Sequence, residues 1–172
     1  MDSQLTKPAL HNVLYDIPRF VVGAPGSQHR SSNGDMKLHA GIAQPLDFRF
    51  MTKDGVPLNL TNFDLYLIFW TNNRFDMDYG PNGYTLDNID DISLRKSLDL
   101  IEAYEGSAST LLTNEDTEKL ARDARNNSMR WGLFMVNSDK QVFAMSVTQT
   151  GDVSGSVIIN TGDVPPYEMI IG

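Results

Sequence analysis

The stretch Phe63-Asp64-Leu65-Tyr66-Leu67-Ile68-Phe69-Trp70-Thr71 decides how this chain folds. In an extended strand, side chains alternate between two faces. Phe63, Leu65, Leu67 and Phe69 then share one face, and Asp64, Tyr66, Ile68 and Trp70 the other. The second face starts polar and turns apolar, so the pattern predicts a central strand covered on both sides toward its end. The uninterrupted apolar run, residues 65–70, falls far short of the roughly 20 residues that a membrane-spanning helix requires.

Upstream, Leu46, Phe48 and Phe50 alternate with Asp47, Arg49 and Met51, as in a half-buried strand. Lys53-Asp54-Gly55 follows as a turn, and Leu58 and Leu60 alternate in the next short piece. Downstream, residues 72–90 are polar and turn-rich, with Asn72-Asn73, Asp76, Asp78 and Gly80-Pro81-Asn82-Gly83. They read as a hairpin tip or an irregular loop. Leu98, Leu100 and Glu102 against Asp99, Ile101 and Ala103 fit a strand. Leu94, Leu98 and Ile101 also fit a helix. The strand is favoured because Glu105-Gly106-Ser107 makes a hairpin turn into residues 108–112.

One helix is predicted from Thr113. Thr113-Asn114-Glu115-Asp116 has the form of a capping box with Asp in place of the usual Glu or Gln. Glu115, Asp116 and Glu118 put negative charge where the helix dipole favours it. The stripe Thr117, Leu120, Ala121 and Ala124 is thin, so the helix should cap a sandwich rather than form a core. Asn126-Asn127 ends it. Trp131, Leu133 and Met135 then alternate with Gly132, Phe134 and Val136. Residues 137–140 make a hairpin turn, and Val142, Ala144 and Ser146 alternate with Phe143, Met145 and Val147. Gly151-Asp152 turns into residues 153–160. Short strands with turns every 8–12 residues or so predict a β-sandwich.

The ends read differently. Residues 1–35 are broken by Lys7-Pro8, Ile17-Pro18 and Ala24-Pro25-Gly26, and residues 26–34 read as a linker. Between the breaks lie Val13, Leu14, Tyr15, Ile17, Phe20, Val21 and Val22, which a solvated tail does not usually carry. Two readings follow: a strand of the same domain, or an arm that docks on a neighbouring subunit. The expected division is an N-terminal arm at 1–35, a sandwich domain at 36–162 and a C-terminal tail at 163–172 that ends on Met169-Ile170-Ile171.

Composition narrows the function. The 172 residues suit one domain with a real core. A net charge of −8 repels phosphate backbones and anionic lipid, so neither nucleic acid nor membrane is an expected partner. There is no cysteine, which excludes thiol catalysis, disulfides and Cys-ligated zinc. Met1-Asp2-Ser3-Gln4 does not open an export signal.

A search for chemistry finds little. His11, His29 and His39 are not at ligand spacing. Gly151-Asp152-Val153-Ser154-Gly155-Ser156 lacks the lysine of a phosphate loop, and Ser154 and Ser156 are more simply strand residues. Asp76, Asp78 and Asp87 imitate positions one, three and twelve of a calcium loop, but Gly80 and Pro81 stand where a ligand and a glycine belong. The acids Asp87, Asp90, Asp91, Asp99, Glu102 and Glu105, with Arg95 and Lys96 among them, read as a solvated acidic face or one for a basic partner. Paired carboxylates could serve glycoside hydrolysis, but only in a cleft that holds them about 5–9.5 Å apart. Tyr79 and Tyr84 could stack on a sugar or fill a protein pocket. No catalytic, cofactor or metal residue is expected, and no cofactor.

Taken in order, several pieces carry a resemblance. Gln44-Pro45-Leu46-Asp47-Phe48-Arg49-Phe50, then Asp54-Gly55-Val56-Pro57-Leu58-Asn59-Leu60-Thr61, resembles the opening of immunoglobulin-like domains in bacteriophage tail and baseplate proteins. Leu112-Thr113-Asn114-Glu115-Asp116-Thr117-Glu118-Lys119-Leu120 looks like the short helix of that family. Residues 129–136 look like its strand of the tyrosine/tryptophan-x-leucine kind, 137–140 like its hairpin and 155–160 like its closing strand after a glycine. The resemblance spans about residues 42–160 and is nearest to N-terminal domains of upper baseplate proteins. It implies a mainly β protein: an immunoglobulin-like antiparallel β-sandwich with one short helix and an extended N-terminal arm. It also implies a non-enzymatic virion structural protein (tail, baseplate, adaptor or capsid-attached), made in the host cytoplasm. Such a protein acts by subunit assembly with other virion proteins, as a homo-oligomer. With an arm before the domain and no fibre after it, an adaptor, baseplate or capsid-attached role suits better than a bare receptor-binding fibre. The alternative is a carbohydrate- or receptor-binding module that uses residues 72–90.

Overall fold

The computed structural model describes residues 17–23, 34–71, 92–148 and 151–161. Among them are strands β1 (Arg19–Gly23), β2 (Asp35–His39), β3 (Gln44–Met51), β4 (Asp64–Trp70), β5 (Ile92–Ser97) and β6 (Asp99–Glu102). After a single 3-10 turn (Ala103–Glu105) come β7 (Ser107–Leu112), helix α1 (Asn114–Asp123), β8 (Ser128–Val136), β9 (Val142–Ala144) and β10 (Gly155–Asn160). They form a β-sandwich. One sheet has the order β1-β3-β7-β6, and the other β2-β10-β8-β4-β5, with β9 also paired to β8.

The reading of residues 63–71 holds in detail. β4 lies between β8 and β5. Leu65, Leu67 and Phe69 enter the main core between the sheets. Ile68 and Trp70 join Phe134 in a second buried cluster, flanked by Tyr66, Val136, Val142 and Ala144. The four-stranded sheet supplies Phe20, Val22, Leu46, Phe48, Phe50, Ala108 and Leu112 to the main core. The facing sheet adds Met129, Trp131, Leu133, Met135, Val157 and Ile159. Trp131 is the junction. Its ring meets Phe20 edge-on with centroids 5.1 Å apart and lies 6.2 Å from Phe48, while Phe20 stacks on Phe48 at 5.5 Å.

Two features differ from expectation. First, residues 19–23 are a strand of the sandwich, although the division at 35/36 puts them in an arm. Phe20 and Val22 are buried, so the strand reading of this segment is the correct one. Second, not every pairing is antiparallel. β1 runs parallel to β3, and β2 parallel to β10. A parallel neighbour cannot be reached by a tight hairpin. β1 and β2 enter from chain that precedes the hairpins and are added at sheet edges. Residues 1–16 and the tail at 163–172 lie outside the described residues.

Both open sides of the sandwich are crossed by the chain. On one side, only Leu98 separates β5 in one sheet from β6 in the other. It is buried, and its N–H donates to the Leu65 carbonyl at 2.9 Å. On the other side, the chain leaves β9 and Ser146 bridges to Gly23 of β1 through two backbone hydrogen bonds of 2.9 and 3.1 Å. Residues 145–147 are buried there, which is why the alternating run after the 137–140 hairpin yields a strand of only three residues. The turns use the predicted residues. Gly55 and Gly106 have φ of 79° and 67°. Asn137 Oδ1 accepts from the N–H groups of Asp139 and Gln141.

α1 forms as its sequence dictates. Thr113 Oγ1 accepts from Asp116 N–H at 3.1 Å, and Asp116 Oδ2 accepts from Thr113 N–H at 2.9 Å, completing the capping box. Thr113→Ala should therefore lower stability by about 1 kcal/mol, and the thermal midpoint by about 3 °C. Thr113→Ser should melt near the parent.

The helix is fastened at both ends to β5. Lys96 Nζ reaches Asp116 at 2.8 Å, and Ser93 Oγ donates to Asp123 at 2.6 Å. Asn114 Nδ2 and Thr117 Oγ1 donate to the carbonyls of Gly41 and Ile42. Burial alone would push the Asp116 carboxyl up, but hydrogen bonds from Lys96 and Thr113 outweigh it and hold it below the usual range. Hydrogen bonds from Lys119 and Ser93 do the same for Asp123, against a smaller opposing effect of burial. A carboxyl with a folded pKa below its unfolded value stabilises at higher pH and loses that contribution as pH falls through the folded pKa. Stability should thus hold above about pH 4 and decline below it. Asp116→Asn should flatten that decline in acid-melting curves.

Candidate functional site

The face of the four-stranded sheet turned away from the core is organised in cross-strand rows. Register places Arg19, Asp47, Ser109 and Asp99 side by side across β1, β3, β7 and β6. The next row holds Val21, Arg49, Ser107 and Glu102. Residues at one register position on adjacent strands have close side chains. Arg19 Nε binds Asp47 Oδ2 at 2.8 Å, and this pair remains largely open to solvent on the arginine side. Arg49 is half-buried, and its Nε has no hydrogen-bond partner.

A groove of about 480 Å³ lies along the first row. Ile17, Pro45 and Leu111 give it an apolar lining, and Arg19, Asp47 and Asp99 a charged one, with Ser109 and Thr110 between. Asp47 and Asp99 thus share a groove on either side of Ser109. Asp47 is committed to Arg19, and no aromatic side chain lines the groove among the described residues. Large apolar side chains also stand in solvent on β6, after it and on β7: Ile101 is 61% exposed, Tyr104 75% and Leu111 51%.

The other sequence candidates are dispersed. Asp99, Glu102 and Glu105 are exposed on or next to β6. Lys96 is taken up by Asp116, and Arg95 stacks over the Tyr66 ring at 4.4 Å. Among the described residues, the acidic face is carried by Asp99, Glu102 and Glu105, on and next to β6. His39 is half-buried in β2. Ser154 and Ser156 serve structure: both hydroxyls bind the Arg130 guanidinium, which fastens β10 to β8. His11, His29, the calcium-like positions Asp76, Asp78 and Asp87, the acids Asp90 and Asp91, and Tyr79 and Tyr84 all lie outside the described residues. Among the aromatic residues of the strand-like runs, Phe48, Phe50, Phe69, Trp131 and Phe134 are buried and Phe63 is half-buried, while Phe143 is 37% exposed.

Sequence reasoning missed the groove. Its residues come from four segments far apart in the chain, and only the sheet order brings them together. Leu111 carried the one signal: it interrupts the alternation of β7 by placing a large apolar side chain on the outer face.

Among the described residues, no helix is long and apolar enough to cross a membrane. No protein-family model matches the chain, and no curated protein matches it by sequence. Several solved structures are similar in shape, two of them as follows. The N-terminal domain of phage TP901-1 ORF48 aligns with a TM-score of 0.45 at 9% identity, over 83% of this chain and 98% of that one. Auracyanin A, a "blue" copper protein from Chloroflexus aurantiacus, aligns with a TM-score of 0.35 at 9% identity, over the same shares. A blue-copper centre uses a cysteine thiolate, and this chain has no cysteine.

Proposed function

We propose that this chain is a non-enzymatic structural protein of a bacteriophage particle, an immunoglobulin-like sandwich that acts by assembling with other virion proteins and with copies of itself. The observation that carries the reading is the set of large apolar side chains left in solvent on and next to β6 and β7: Leu100, Ile101, Tyr104 and Leu111. Apolar side chains left in solvent at a sheet edge point to an interface rather than to a catalytic site. The order of elements supports the particle setting. A strand (β3), an Asp-Gly turn, the central strand β4, a capped helix, a long strand with its hairpin and a closing strand after a glycine follow one another as in the phage tail and baseplate domains that the sequence resembles.

The fold also redefines the arm. Deleting residues 1–34 would remove β1 with Phe20 and Val22 and so damage the core. The informative truncation stops at residue 16. A chain lacking residues 1–16 should fold, with an unchanged far-ultraviolet spectrum, but enter particles poorly when it replaces the full chain. Normal incorporation would remove the arm from the mechanism. Glycan-array binding that is lost on Tyr79→Ala with Tyr84→Ala would instead favour the carbohydrate-binding alternative.

A further inference from the structure

β6 closes the four-stranded sheet on one side, and all of its residues, Asp99–Glu102, are exposed. A strand in that position offers unpaired backbone N–H and C=O groups to any chain that can lie beside it. Its side chains decide which chain that is. Asp99, Glu102 and Glu105 are acidic and exposed, and Asp47 lies in the same row as Asp99, two strands inward. Arg19 answers Asp47, and Arg49 is half-buried; Asp99 has no ion-pair partner among the described residues. Around these carboxylates stand Leu100, Ile101, Tyr104 and Leu111, each at least 40% exposed. The groove continues the surface inward over Leu111, Pro45 and Ile17.

We propose that the β6 edge, with the groove beside it, docks an extended segment of a partner protein in which apolar residues alternate with lysine or arginine. The backbone of that segment adds a strand to the sheet. Its side chains fall alternately on the two faces. The cationic ones meet Asp99 and Glu102, while the apolar ones cover Leu100 and Ile101. A second copy of this chain is disfavoured as occupant, because two β6 edges would set Asp99 and Glu102 against like charges on a chain that carries −8 in all. The register shift between Leu100 and Glu102 keeps the added pairing short, so side-chain chemistry has a large share in the binding. The inference shares these apolar side chains with the particle reading, but the strand edge and its charges carry it wherever the protein works.

The test uses the full chain and an end-capped peptide of about eight residues, alternating valine and lysine. The peptide should bind saturably and slow amide hydrogen exchange across residues 99–102. Asp99→Lys combined with Glu102→Lys should weaken binding about tenfold or more without lowering the melting point, because both side chains are exposed. A peptide alternating glycine and lysine should bind far more weakly, and one alternating valine and glutamate not at all. No saturable binding up to about 1 mM peptide, equal binding of the glycine–lysine peptide, or unchanged affinity of the double variant would overturn the proposal. So would a dimer of the free protein whose dissociation on dilution unmasks residues 99–102, which would assign the edge to a second copy.

Discussion

Replacing Gly155 with alanine should cost about 3 kcal/mol, a fall of about 10 °C in the thermal midpoint for a chain of this size. Gly155 faces Trp131 across the β8–β10 pair. A Cβ at this position would sit 2.5 Å from Trp131 Nε1 and closer still to the Gly34 carbonyl oxygen. Those two atoms are themselves hydrogen-bonded at 2.8 Å, so the methyl group would enter the space that the bond occupies. A backbone oxygen and a fully buried indole have little room to yield. Gly55→Ala supplies the control. Gly55 has φ of 79° but nothing within 4 Å of an added Cβ, so its substitution costs only the backbone penalty of about 1 kcal/mol. Equal losses at the two sites would show that the contact at Gly155 contributes nothing.

Truncating Trp131 should cost more, about 4 kcal/mol for the ring, with a further contribution from the Gly34 carbonyl left without its donor. Trp131→Phe separates the two: it keeps an aromatic ring against Phe20 and Phe48 but loses the N–H, and should cost about 1–3 kcal/mol. Local loosening should follow the contacts. Because Phe20 rests edge-on against Trp131, amide exchange across residues 19–23 should accelerate in Trp131→Ala well beyond that in Thr113→Ala, whose defect lies on the helix. Protection at residues 19–23 that is the same in both variants would mean that β1 does not depend on the core.

Much of the architecture was legible because burial and period agree. In β3, β4 and β8 the alternating residues are the ones that fill the core, so each strand declares its face. Thr113 with Asp116 declares the helix start in the same way. β5 was illegible because its pattern is inverted. Ser93 is buried while Ile92 is exposed, and a half-buried lysine, Lys96, stands opposite the core residue Leu67, since Ser93 and Lys96 are recruited to hold α1. The place of β1 was only half legible: Phe20 and Val22 announce an apolar face, but nothing in a short segment between prolines names its parallel partner β3. The outer groove was hidden for a related reason. Arg19, Asp47, Ser109 and Asp99 become neighbours only through sheet order and register, which a single sequence does not encode locally. The acidic run 87–105 gave Lys96 no role, because its partner Asp116 lies on the helix.

Particle fractionation tests the central claim most directly. Phage particles from a lysate of the host that carries this gene are purified through a density gradient, and the chain is located by gold-labelled antibody in electron micrographs. The assembly account predicts that the chain bands with intact particles, survives high-salt washing and labels one fixed place on each particle. Recovery of the chain only in the soluble fraction, with unlabelled particles, would contradict it.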